Sequence, residues 1–189
     1  MMKPWPLTIR ILHFALAIAV TVQLVSIMFV NVDLKHVALT TSGILFKIHE
    51  YSGLTALTIV ALHIVLILIK QERRAAYFPW PRQERVIIGQ EVKALASGSL
   101  PQGGYLAHGV VGFVHGMGLL AVLAAGSLGS LVFIALQHYP ASAGVIKPVV
   151  ETHQFFAALV VAYWVSHAGM VLWHFLSGDR EILRIFSLK

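Results

Sequence analysis

The sequence predicts an all-α fold, an integral membrane four-helix bundle running up, down, up and down, and three observations carry that expectation. Of 189 residues, 58% are hydrophobic and only 12% charged, about half the charged share of an ordinary soluble domain, and the mean hydropathy is +0.80. Four separate stretches stay apolar for long enough to cross a hydrocarbon core, which takes about 20 helical residues. None of the four shows the alternation of a strand. This composition excludes an ordinary globular enzyme, a disordered chain and, despite a pI near 9.8, a nucleic-acid-binding module. The absence of Cys excludes disulfides, thiolate zinc sites, iron–sulfur clusters and covalent c-type haem attachment. The length fits a single domain over residues 1–189.

The first span, 11–30, contains no Asp, Glu, Lys or Arg. Its apolar run exceeds the roughly 7–15 residues of a signal-peptide core and no A-x-A-like site follows it, so it reads as a retained span. The second span, 44–69, confines Lys47 and Glu50 to its first turns, the third, 105–136, is uncharged, and the fourth, 149–176, has Glu151 near its start. The loop 70–104 is the one sizeable segment outside the spans. Its Phe78-Pro79-Trp80-Pro81-Arg82 run cannot be a regular helix and suits the membrane interface. Residues 84–96 read as a short helix lying flat, with Val86, Ile87, Val92 and Leu95 toward lipid or protein. Ser97 to Gly104 is turn chemistry.

Basic residues set the orientation. The N-terminus (Lys3, Arg10), the loop 70–104 and the C-terminus (Arg180, Arg184, Lys189) hold eleven of the fourteen, against Lys35, Lys47 and Lys147 on the other side. Both termini and the loop are therefore expected in the cytoplasm, in a bacterial inner membrane. The net charge of +6 reads as topology and attraction to lipid headgroups, not as a site for a polyanion.

Ten histidines are unusual for such a chain. The topology places His13, His63, His115 and His167 near the cytoplasmic side of the core, and His49 and His153 near the periplasmic side. His108 and His174 fall at cytoplasmic helix ends, and His36 and His138 in the outer loops. The sharpest pattern is His49-x13-His63 on the second span and His153-x13-His167 on the fourth. Fourteen helical residues advance about 21 Å and end about 40° short of four full turns, so each pair projects from nearly one face at two depths. Facing imidazoles are strong axial ligands for haem iron, and two such centres stacked across the bilayer would form an electron path. Gly53, Gly169, Gly109, Gly112, Gly116 and Gly118 offer bare backbone to a porphyrin or, equally, to a neighbouring helix. A single membrane histidine is often just a hydrogen-bonded structural residue, but six inside the hydrocarbon, four of them at matched spacing, point to function.

At this point the residues resemble a family. Arg10-Ile11-Leu12-His13-Phe14 is similar to the R-x-x-H-[FW] start of bacterial four-helix di-haem cytochromes b: the gamma subunit of formate dehydrogenase, the cytochrome b subunit of nickel–iron hydrogenase and bacterial cytochrome b561. His49-Glu50-Tyr51-Ser52-Gly53 resembles their H-x-x-x-G second-span motif, and His153-x13-His167 the paired ligands of their last core span. The Pro79-Trp80 turn, the amphipathic segment after it and Gly103-Gly104 look like the loop of the formate dehydrogenase member. The resemblance implies two b-type haems enclosed by the bundle, one between His49 and His153 and one between His13 and His167. Symmetry alone suggests His63 with His167 instead; His13 is favoured because its motif is otherwise unexplained, which leaves His63 as an alternative ligand or a propionate contact. His115, at the same depth, leaves a further haem open. Arg10 and Lys47 are candidate propionate contacts. Gln102 and His108 match the stretch where the formate dehydrogenase member binds quinone, though a plain turn explains them as well.

The expected function is electron transfer across the bilayer between a redox partner and the quinone pool, as the membrane anchor of a respiratory oxidoreductase, with membrane lipid, quinone and a periplasmic redox enzyme as partners. Homo-oligomerisation is left open. One alternative is a stand-alone enzyme that oxidises superoxide at the outer face and reduces quinone. Another is a histidine-lined proton or metal transporter, which the scarcity of intramembrane Asp and Glu argues against.

Overall fold

A computed structural model describes residues 6–29, 41–79, 81–97, 109–139 and 144–178. The described residues form six helices and no strands: α1 (Leu7–Met28), α2 (Thr41–Ile69), α3 (Gln71–Tyr77), α4 (Arg82–Ala96), α5 (Gly109–His138) and α6 (Ile146–Leu176). Four of them, α1, α2, α5 and α6, are long and apolar enough to span a membrane.

Helix boundaries follow local chemistry. The Pro6 carbonyl accepts from the amides of Ile9 and Arg10 at 3.0 and 3.2 Å, so α1 begins four residues before the apolar run does. Pro148 sits in the first turn of α6, where no intrahelical partner for its missing N–H is needed; the helix therefore starts three residues ahead of the expected span. The helix α3 was not expected. It is a separate helix of about two turns after a break at Lys70, and it ends at Phe78 because the residue before Pro79 is held out of helical geometry. The short helix expected over 84–96 is α4, with Val86 and Val92 exposed.

Each long helix packs chiefly on its neighbour in the chain, α1 on α2, α2 on α5 and α5 on α6. The buried band is made of Leu16, Ala19 and Val20 of α1, Ala56, Val60 and Ile67 of α2, Leu119, Ala121, Val122 and Ala125 of α5, and Val160 of α6. Alanines and glycines bring the backbones together, as is usual where lipid supplies no hydrophobic drive between helices. A Cβ on Gly126 would stand 3.1 Å from the Cβ of Leu57, which marks a close approach of α2 and α5. The outer faces carry exposed Ile18, Leu62 and Leu131, an apolar jacket suited to lipid. Between α1 and α6 the indole of Trp164 donates to Thr21 Oγ1 at 3.2 Å. Elsewhere these two helices face each other across a cavity.

Candidate functional site

The histidines gather in two tiers. In the first, His49 of α2 faces His153 of α6, with ring centroids 6.5 Å apart and planes at 83°. In the second, His13 of α1 faces His167 of α6 at 6.2 Å and 60°. The tiers are separated along α6 by fourteen residues, about 21 Å of helix. A metal–imidazole bond of about 2.0–2.1 Å, as at zinc, with about 1.1 Å from ring nitrogen to ring centre, puts two imidazoles in line across one metal at about 6.3 Å between centroids. Both pairs match that separation, so the donor set and its spacing fit a six-coordinate haem iron at each tier.

The first tier is held by backbone. Nδ1 of His49 faces the carbonyl oxygen of Gln23 at 3.1 Å, and Nδ1 of His153 faces that of Ala125 at 2.9 Å. A carbonyl can only accept, so both rings carry their proton on Nδ1 and keep Nε2 as the lone-pair nitrogen. Such outer hydrogen bonds fix the tautomer and orientation of metal-binding imidazoles. His153 reaches Ala125 because Gly129 has no side chain; a Cβ there would lie 3.1 Å from the ring's Cε1. The Nε2 of His49 in turn meets the side-chain amide of Gln23 at 3.0 Å.

The second tier borders a cavity of about 520 Å³, within the range of small-molecule and cofactor sites. His13, His63, His115 and His167 all line it, among Leu16, Val20 and other apolar side chains. His63 is buried at 4% exposure. The His115 ring donates from Nδ1 to the Val111 carbonyl at 2.7 Å and packs edge-on against His167 at 4.9 Å, too close for the two to flank one metal in line. Tyr163 stacks on His167 at 5.4 Å and 20°. Its ring lies against the bare backbone of Gly118.

Among the propionate candidates, Arg10 is buried one turn before His13. Lys47 donates to Glu50 of its own helix at 2.8 Å. Gln102 and His108 lie outside the described residues, as does the quinone reading that rests on them. His138 ends α5 and His174 lies in the last turn of α6; neither joins a tier. The glycines divide. Gly53 abuts the Gln23 amide, Gly116 the Tyr77 carbonyl of α3 and Gly118 the Tyr163 ring, while among the described residues no neighbouring element packs where a Cβ on Gly169 would stand.

Sequence reasoning passed over Gln23, Tyr163 and Glu91. The Glu91 carboxylate accepts from the Val110 amide at 2.7 Å, which caps the N-terminus of α5 from α4. For Gln23 a signal existed, since an amide inside an otherwise apolar span is costly without a partner.

A family model described as prokaryotic cytochrome b561 matches residues 4–188. No curated protein and no solved structure matches the chain significantly. With a match over nearly its whole length and four helices fit to cross a membrane, the chain belongs to the prokaryotic cytochrome b561 family and is a multi-pass membrane cytochrome b that binds haem b and works in electron transfer.

Proposed function

We propose that the protein carries electrons through the bilayer by way of two haem b groups, one held by His49 and His153 and one by His13 and His167, and that it anchors a periplasmic redox enzyme to the membrane and the quinone pool. The observation that carries this reading is the pair of imidazole separations, 6.5 and 6.2 Å at two depths, each close to what an in-line metal requires. Haem iron, when bound, supplies the one-electron chemistry. The chain's own groups orient the ligands and exclude water: the Gln23 and Ala125 carbonyls hold the first-tier imidazoles, and Tyr163, with apolar side chains, encloses His167. His63, which borders the second-tier cavity, would serve as an alternative ligand or a propionate contact, and Arg10, one turn before His13 on α1, as a propionate contact. Basic residues on the loop 70–104 favour both termini in the cytoplasm.

The stand-alone reading needs a cationic outer surface to draw in superoxide. Of the outer lysines, Lys47 lies against Glu50 at 2.8 Å and Lys147 near Glu151 at 3.8 Å, and these exposed pairs do not separate the two readings. The two part in one experiment on the purified single subunit in liposomes with quinone. We expect superoxide to yield no quinol above the uncatalysed rate; catalytic turnover by the isolated chain would overturn the anchor assignment.

A further inference from the structure

Gln23 of α1 grips both ring nitrogens of His49. Its backbone carbonyl takes the Nδ1 proton at 3.1 Å. Because Nδ1 carries the proton, Nε2 is the acceptor, so the bond of 3.0 Å between that nitrogen and the Gln23 amide runs from amide N–H to the imidazole lone pair. The amide is itself mounted. Ser52, one turn along α2 from His49, donates to its Oε1 at 2.8 Å. Gly53 leaves it room, since a Cβ there would come within 3.0 Å of it. Four residues from two helices thus build one polar latch at the height of the first tier.

The second tier is built differently. His167 is surrounded by rings, with His13 at 6.2 Å, His115 at 4.9 Å and Tyr163 stacked at 5.4 Å, and it borders the cavity of about 520 Å³.

The lone pair that Gln23 occupies is the one a metal at this tier requires, and one lone pair cannot serve both. We propose that the Gln23 side chain competes with the cofactor for His49, so that the His49–His153 tier binds haem more weakly than the His13–His167 tier and fills after it. Gln23 is then a positioning residue with two opposed parts. Its carbonyl orients the imidazole for ligation, while its amide must be displaced for ligation to occur. This rests on the ligand assignment given above.

The two parts separate by mutation. Gln23→Leu removes the amide and leaves the carbonyl, and leucine suits an apolar span. Ser52 keeps an acceptor in that variant, because its hydroxyl also reaches the His49 carbonyl at 3.2 Å. Full-length haem-loaded protein in detergent is equilibrated with graded apomyoglobin as haem acceptor. Haem retained per chain is read as the pyridine haemochrome, and low-spin EPR identifies which centre is lost. The wild type should surrender one haem well before the other. Gln23→Leu should need about three- to tenfold more acceptor to lose that same haem, the size of one neutral hydrogen bond, with the other unchanged. Ser52→Ala, which loosens the amide without removing it, should shift the curve the same way by less. Coincident curves for the wild type and both variants, or weaker retention in Gln23→Leu, would overturn the competition. His49→Ala keeps the two levels of inference apart: it should hold one haem. If it holds two, the ligand assignment has failed and the competition with it.

Discussion

Four imidazoles border the second-tier cavity, and their distances from His167 distinguish His13 from His115. His13 stands 6.2 Å from His167, which suits a shared metal, whereas His115 at 4.9 Å crowds His167 from the side. His63 comes from α2 into the same space. We therefore expect His13→Ala to lose one haem of two and His63→Ala to keep both, read from the reduced-minus-oxidised spectrum with haem-to-protein stoichiometry. Loss in His63→Ala with retention in His13→Ala would give the ligand role to His63. At this scale the sequence was informative wherever a residue belonged to a pattern. His13 stood out through the Arg10–Phe14 motif, and His49, His153 and His167 through their spacing. Gln23 belonged to no pattern, and its role depends on α1 lying against α2 at the height of His49, a tertiary fact. Gly53 fitted a porphyrin as easily as an amide, because a missing side chain does not say what fills its place.

The bundle's elements are tied by contacts that cross between them. Glu91 reaches from α4 to the Val110 amide at the start of α5, where Gly109 turns with φ of +65°, a conformation that only glycine adopts readily. The carboxylate satisfies an orphan donor and sits at the positive end of the helix dipole. Glu91→Ala should lower stability by about 0.5–2 kcal/mol, the usual loss for a helix cap, seen as a lower thermal midpoint, while Glu91→Gln should recover part of it. An unchanged midpoint in both would show that α4 is not fastened to α5 through this residue. Farther along α5, the Tyr163 ring occupies the space a Cβ on Gly118 would need. Gly118→Ala should destabilise by about 1–3 kcal/mol, as overpacking does, and perturb the second-tier spectrum through the Tyr163–His167 stack. A normal spectrum would mean that Tyr163 does not position His167. All four apolar spans were legible from length alone; the helices that carry them begin a few residues earlier, at Leu7 and Ile146, where Pro6 and Pro148 stand at helix starts. The helix α3 escaped because seven residues give no period to read, and its place is fixed by the Tyr77 carbonyl lying on Gly116.

Across the whole molecule, two imidazole pairs lie one above the other, with Trp164 joined to Thr21 between α1 and α6 at an intermediate depth. The helices that carry the proposed ligands are spaced by small residues and faced outward with large apolar ones. Fold class was plain from composition because a bilayer allows few solutions to burying backbone polar groups. What the sequence could not reveal was the inequality of the tiers, one mounted on carbonyls and an amide, the other walled by rings. The central claim is that this chain holds two haems in six-coordinate bis-histidine sites. Haem-to-protein stoichiometry combined with low-spin EPR on the purified wild type tests it most directly: two haems per chain with two resolvable low-spin signals are expected. A colourless protein, or one that binds a single haem at saturation, would contradict it.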